Sequence, residues 1–380
     1  LLILVLVSLF YSSFAWAGDC ETEISSATTS QLVCADNDSL TVTSDGSIAY
    51  DEQNAVDAQQ EDGVTITNRG TIQTTTDGSD GSSPIKGQSS LNLTVINSGT
   101  ILAKEDYGIK LIQAEKITIT NEAGGTIKAT PTDGGAQHAI GGTNMGNCTT
   151  CVNDSTTSSD DDDAGLTLHN YGTIDAHSRT VYGGHNSSHT SKKTKIYNYD
   201  GGVIDVTTSS AVKFQFADDF ELYNYSGGTI QADTKYAIDA KNATTVTIDN
   251  AGTISAGSAD AIHCEECSDV TLTNSGNITA GATNGLNFAT LSGTNTITNS
   301  GTISAVTSKA IRIRDATGVT ITNEAGGTIS SDGLIGIDAE NAFSPTIRNY
   351  GTISAARING IGINLSHNPT LGPIGSGATI

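Results

Sequence analysis

The sequence is poor in cations, in aromatic rings and in bulky or kinking residues. Only 18 of its 380 residues are Lys or Arg, against 41 Asp and Glu, for a formal charge of −23. Phosphate binding needs clustered Lys and Arg, so the composition excludes a cationic nucleic-acid binder. There are 7 Phe, 1 Trp, 1 Met and 5 Pro. With aromatics at 5% and hydrophobic residues at 36%, the chain lacks material for a broad core of large side chains. Charged residues nevertheless reach only 16%, and Ile, Val and Thr recur throughout, which argues against disorder. What is plentiful is Gly, at 42 residues. The balance points to a thin architecture with small side chains inside.

One long apolar run is present, at the start. Leu1 to Phe10 reads LLILVLVSLF and leads into Ala15-Trp16-Ala17. That is the apolar region and A-x-A cleavage signature of a secretory signal peptide over residues 1–17, with Gly18 as the expected first mature residue. A membrane anchor is the weaker reading, because the segment is at the short limit for spanning and no basic stop-transfer flank follows. Neither an initiator Met nor a basic leading segment is present, so the sequence is expected to begin inside its reading frame. Export fits the six cysteines, which fall into three near pairs: Cys20 with Cys34, Cys148 with Cys151, and Cys264 with Cys267. Short-range disulfides are the simplest expectation.

A repeat runs through the rest. The phrase apolar-Thr-apolar-x-Asn, one or two spacers, Gly, Thr-Ile appears at Val64 to Ile72, Val246 to Ile254 and Val319 to Ile329. Its anchors are Asn68, Asn97, Asn121, Asn170, Asn198, Asn224, Asn250, Asn274, Asn299, Asn323 and Asn349, with Ser44 to Ile48 as a worn earlier copy. From Asn198 the spacings are 26, 26, 24, 25, 24 and 26. A second phrase, Gly/Ala-Ile, follows most anchors, as at Ala237-Ile238, Ala261-Ile262 and Ala310-Ile311. Each period thus holds three short segments of period-2 alternation, the mark of strands. The predicted fold is all-β: a right-handed parallel β-helix, three short strands per coil of about 25 residues, eleven or twelve coils, roughly 50 Å long. A stack of Ile, Val and Ala would fill it. The asparagines are expected to satisfy turn backbone and stack on one another, and the glycine after each to supply a positive φ. A β-sandwich explains regular strands but not a fixed Asn-x-Gly phrase. The predicted organisation is signal peptide 1–17, a disulfide-bearing cap and first coil 18–60, the β-helix 61–368, and a Gly-rich end 369–380 that stops in mid-phrase.

One interval is long: Asn121 to Asn170 is 49 residues. The excess lies at 141–165 and reads as a projecting loop carrying Cys148, Cys151 and the acidic run Asp160 to Asp163. Loops on one face are where solenoids often carry function. A zinc site across the two C-x-x-C pairs is excluded by their separation of several coils, since one tetrahedral ion needs all its ligands together. His185 and His189 read as a solvated turn, and the acidic run as a loop tip without a calcium motif. Gly78 to Pro84 has the residues of a serine-protease phrase in the wrong order. Arg312 and Arg314 share one face of a strand, but no acidic cluster repeats at that register, so a polysaccharide lyase or hydrolase is the alternative and not the preferred reading. No catalytic group, cofactor or metal is predicted.

With its signal peptide, the Asn-x-Gly-Thr-Ile phrase and the Gly/Ala-Ile phrase, the chain resembles the passenger domains of Gram-negative autotransporters. The segment Cys20 to Cys34, followed by Asn37 to Thr43, looks like the start of such a passenger. The resemblance implies a right-handed β-helix displayed on the cell surface or secreted, acting as an adhesin or structural stalk. Its partners would be a host-cell, matrix or carbohydrate ligand, or another copy of itself. The resemblance also implies export through a C-terminal outer-membrane barrel, of which the sequence carries no strands.

Overall fold

The structure, a computed structural model, describes residues 20, 22–50, 53–75, 81–104, 106–130, 138–145, 165–184, 191–357, 360–365 and 370–374. The expected signal peptide, Cys148, Cys151, Asp160 to Asp163, His185 and His189 lie outside these residues. The described chain is a right-handed parallel β-helix whose three sheets hold 14, 13 and 13 strands. Every neighbour in a sheet is one coil away in sequence and parallel. At about 4.8 Å per step, thirteen rungs make a rod of roughly 60 Å.

Alternation sets the walls. In Thr65–Asn68, Thr94–Asn97 and Thr346–Asn349 the first and third residues are half-buried while the second and fourth are buried. Thr253–Ala256 behaves alike, with Ile254 and Ala256 inside. β-branched residues fit both faces: Thr stays wet outside and Ile packs inside. The second sheet carries an unbroken isoleucine column from Ile48 to Ile353, each residue in register with the next. Phe214, Phe220 and Phe288 are also fully buried, so the core is wider than Ile, Val and Ala alone.

The worn copy is a real coil: Ser39–Val42 and Ser47–Tyr50 stack on the first asparagine coil, with Val42 in register with Asn68. Before it, Thr22–Ile24, Ala27–Thr28 and Leu32–Val33 form another, joined by the Cys20–Cys34 disulfide. Past His138–Gly142 the chain still stacks, with the Thr143 carbonyl accepting from the Gln113 amide and Met145 fully buried in the core. After the long interval the strand Leu166–Asn170 keeps its register with Ile117–Asn121 intact.

One expectation is corrected. The phrase glycine immediately before each second-sheet strand is not in the left-handed region; Gly70, Gly99, Gly252 and Gly276 all have ordinary φ. It is required because coils approach closely there. A Cβ on Gly252 would sit 2.3 Å from the Gly228 carbonyl oxygen and 2.5 Å from that of Tyr225. Positive φ falls instead on the extra glycine of the longer phrases, such as Gly124 and Gly227, and on non-glycine residues at the corner after the third sheet. There Asn242, Glu266, Thr290 and Asp315 have φ of 52, 57, 56 and 51°.

Candidate functional site

The eleven anchoring asparagines form one continuous ladder inside a corner. Each is buried. Each Nδ2 donates to the Oδ1 of the next, at 2.7 to 2.9 Å, from Asn68 through to Asn349. The same Nδ2 also faces backbone carbonyls. In Asn198 these are Gly202 at 3.1 Å and Thr229 of the next coil at 3.2 Å. A flipped amide would point its oxygen at those carbonyls, so the ladder has one direction along its whole length. It satisfies the corner's backbone and contains no reactive group. These residues are structural.

Two of the expected disulfides are present, Cys20–Cys34 and Cys264–Cys267. All four cysteines are buried. Cys264 stands in register with Phe288 and through it Ile313, as a core residue. Among the described residues no three His, Cys, Asp or Glu side chains come together to hold a metal.

Two outer surfaces depart from the threonine pattern. On the first sheet, two columns of rings stand side by side. Tyr171, Tyr199 and Tyr225 directly follow anchoring asparagines, and their rings stack at 4.1 and 5.0 Å. His169, Tyr197 and Tyr223 form the second column, at 4.9 and 5.1 Å. His169 Nδ1 lies 3.0 Å from the Tyr199 hydroxyl, tying the columns together. Burial pushes the His169 pKa down, so its ring is neutral at pH 7 and stacks without a charge. Burial, then the hydrogen bond with Tyr171, pushes the Tyr199 phenol up to about 12. Tyr223 also rises to about 12, through burial and its hydroxyl's 2.8 Å bond to Glu221. The rings stack face to face within each column, and Tyr171 and Tyr225 at the ends of the first are exposed.

On the third sheet, the outward residue after each core Ile, Val or Leu forms a polar column. Lys213, Asp239, His263, Asn287, Arg312 and Asp338 follow one another in register. Asp239 sits between Lys213 Nζ and His263 Nδ1, each at 3.0 Å. Burial raises its pKa, but the His263 hydrogen bond and the Lys213 charge outweigh this and hold it below the usual carboxylate range. His263 Nδ1 therefore donates, and Tyr236 covers its ring at 4.4 Å. Asp260 accepts from Asn284 and Asn287, both at 2.8 Å. Alongside, Lys241 and Glu265 pair at 2.7 Å, and farther along Lys309 and Asp338 at 3.5 Å. Arg312 and Arg314 do share the outer face, as the alternation predicts, but the pairing slips between them. Arg314 is 3.6 Å from its own neighbour Asp315, and Arg312 lies between Asn287 and Asp338.

Neither the ring columns nor the polar column is apparent from local motif reading. Both are assembled from residues one coil apart, 24 to 30 positions along the chain. The signal that finds them is the repeat itself: Tyr at a fixed offset from Asn, and a titratable residue at a fixed offset from Ala-Ile. Comparison with models of known protein families and with curated protein sequences found no match.

Proposed function

We propose that the chain is an exported β-helical passenger of the autotransporter type, acting at the cell surface or after release as an adhesin or structural stalk without catalysis. The observation that carries this reading is the unbroken axial register of the asparagine ladder across eleven coils. A rod built this way projects one end from the other and offers long, wet walls to a partner, which suits display better than enclosure of a substrate. The leader-like residues 1–17 and the disulfides Cys20–Cys34 and Cys264–Cys267 support an oxidising destination. The ring columns and the polar third-sheet wall are surfaces for a host-cell, matrix or carbohydrate ligand, or for a second copy of the chain.

Expression in a Gram-negative host, with and without residues 1–17, tests the reading. The expected result is cleavage between Ala17 and Gly18, recovery outside the inner membrane and cysteines that resist alkylation. An uncleaved cytoplasmic product with reactive thiols would overturn it. The second reading, a carbohydrate-active enzyme, draws on Arg312 standing in one column with Asp239, His263 and Asp338. Turnover of pectin or alginate, lost in Arg312→Ala, would replace the preferred reading.

A further inference from the structure

Tyr171, Tyr197, Tyr199, Tyr223 and Tyr225 are five of the chain's 11 tyrosines, and all stand in the ring columns of three adjacent coils. The backbone holds them one rung apart. The Tyr199 amide donates to the Asn170 carbonyl at 2.9 Å, and the Tyr225 amide to the Asn198 carbonyl at 2.8 Å. Tyr171 and Tyr199 make the tightest pair, with centroids 4.1 Å apart and ring planes within 3° of parallel. Their hydroxyls share a hydrogen bond, so the rings lie in the same sense and the ortho carbons of one face those of the other. Tyr171 is 38% exposed, which leaves this pair open to a reagent in solution. Among the described residues, Tyr236 and Tyr350 stack on no other tyrosine.

A second feature concerns the protons. With its pKa at about 12, the Tyr199 phenol keeps its proton at neutral pH, so it can lose an electron readily only if a base takes that proton. Tyr199 has such a base. His169 Nδ1 lies 3.0 Å from its hydroxyl, and in the Nε2–H tautomer this neutral imidazole accepts the phenol proton at Nδ1. Tyr223 is built the same way, its hydroxyl donating to Glu221 Oε2 at 2.8 Å. The two columns also communicate: the Tyr197 and Tyr199 rings are 6.3 Å apart, and the His169 and Tyr199 rings 5.9 Å. Packing alone would be served by phenylalanine, which carries neither hydroxyl contact. Parallel phenols within reach of one another, one of them facing a base, are the arrangement that one-electron oxidation and ring coupling require.

We propose that Tyr171 and Tyr199 are a site of oxidative cross-linking, joined as dityrosine by hydrogen peroxide acting through a haem peroxidase, with His169 as proton acceptor for Tyr199. Each phenol gives up one electron and one proton. The two radicals couple, and a carbon–carbon bond forms between one Cε of each ring. The hydrogens on those two carbons then move to the phenol oxygens, which restores both aromatic rings. The chain loses two hydrogen atoms in all, and the peroxide takes them up as it is reduced to two waters. The link spans the same 28-residue step as Asn170 to Asn198 and ties two coils as a disulfide of that length would. This chemistry belongs to the folded chain and goes beyond the adhesin reading, so either can fail without the other.

The test treats the whole folded chain with hydrogen peroxide and a haem peroxidase, then follows intact mass, dityrosine fluorescence and the identity of linked peptides by mass spectrometry. The expected product is a monomer lighter by two hydrogens, whose linked peptides contain Tyr171 and Tyr199. This link should form about 10-fold or more faster than any link involving Tyr236 or Tyr350, because its partner ring is already held in place. Tyr171→Phe should abolish it with the far-UV spectrum unchanged. His169→Phe keeps a ring in the second column but removes the base. It should slow the link about 10-fold or more, again with the far-UV spectrum unchanged. Tyr350→Phe, on a distant coil, should alter neither rate nor product. An unchanged mass, links only between separate copies, a principal link at any other tyrosine pair, or an unaltered rate in folded His169→Phe would each overturn the proposal.

Discussion

Removing one amide from the ladder should damage two coil interfaces and spare the rest. Asn250 is fully buried; it accepts from Asn224 at 2.7 Å and donates to Asn274 at 2.8 Å. It also donates to the carbonyls of Gly252 at 3.3 Å and Asn277 at 3.2 Å. In Asn250→Ala, Asn224 Nδ2 keeps its bonds to Gly228 and Thr253, but Asn274 Oδ1 loses its ladder donor. Two buried ladder bonds, at about 1.5–2 kcal/mol each when a partner is left unsatisfied, give about 3–4 kcal/mol. In a solenoid, stability is a sum of coil and nearest-interface contributions, so the loss stays local. Amide exchange followed by mass spectrometry should show peptides around 246–256 and 270–280 exchanging roughly several-hundred-fold faster. Peptides around 94–103 should be unaffected. Thr271→Ala, on an exposed position of the neighbouring strand, should stay within about 0.5 kcal/mol. Asn250→Ala/Asn274→Ala should cost less than the two single changes added, because they share a bond. A loss below about 1 kcal/mol in Asn250→Ala would refute the reasoning, since water would then be an equal substitute for the ladder.

Gly252→Ala should cost at least about 2 kcal/mol in urea denaturation, because its Cβ meets a carbonyl oxygen at 2.3 Å. Gly124→Ala meets nothing within 4 Å and should cost only about 1 kcal/mol, the strain of its φ of 84°. Reduction of Cys20–Cys34, which closes the longer loop, should destabilise its coil by about 3 kcal/mol. Cys264–Cys267 should contribute about 2 kcal/mol, both measured by exchange with and without reductant. Burial, then the hydrogen bond and charge of Asp36, raises the Glu61 pKa from 4.5 to about 7. Its protonated form therefore stabilises the early coils, fully below pH 4.5, and this contribution is lost as the pH rises through 7. Glu61→Gln should flatten that part of the pH–stability curve.

The fold was legible because its determinants are local and repeated. Val64-Thr65-Ile66-Thr67-Asn68 states in five residues which side chains go inside, and its recurrence states that the unit stacks. The role of the phrase glycine was not legible. Positive φ and close approach both demand Gly, and only the position of the Gly228 carbonyl decides between them for Gly252. Nor was the left-handed corner, since residues as different as Glu266 and Thr290 occupy it. The stacked tyrosines, the Lys213–Asp239–His263 contact and the outward column Asp57, Lys86 and Lys110 depend on register between coils. In the early coils the spacing is uneven, 29 then 24 residues, which hides that register from a fixed-period reading.

The 49-residue interval between Asn121 and Asn170 changes nothing in the ladder, because the chain rejoins its neighbour at the same amide. The converse deletion is equally permissible. Removing 251–274 would bring Ser275 directly after Asn250, and both junctions already carry the same Asn-x-Gly contact. Recombination between near-identical phrases can therefore resize the molecule in whole steps of about 4.8 Å without inventing a new joint. Reach becomes a heritable quantity that varies by integers, while a slip of one residue would turn every wall inside out.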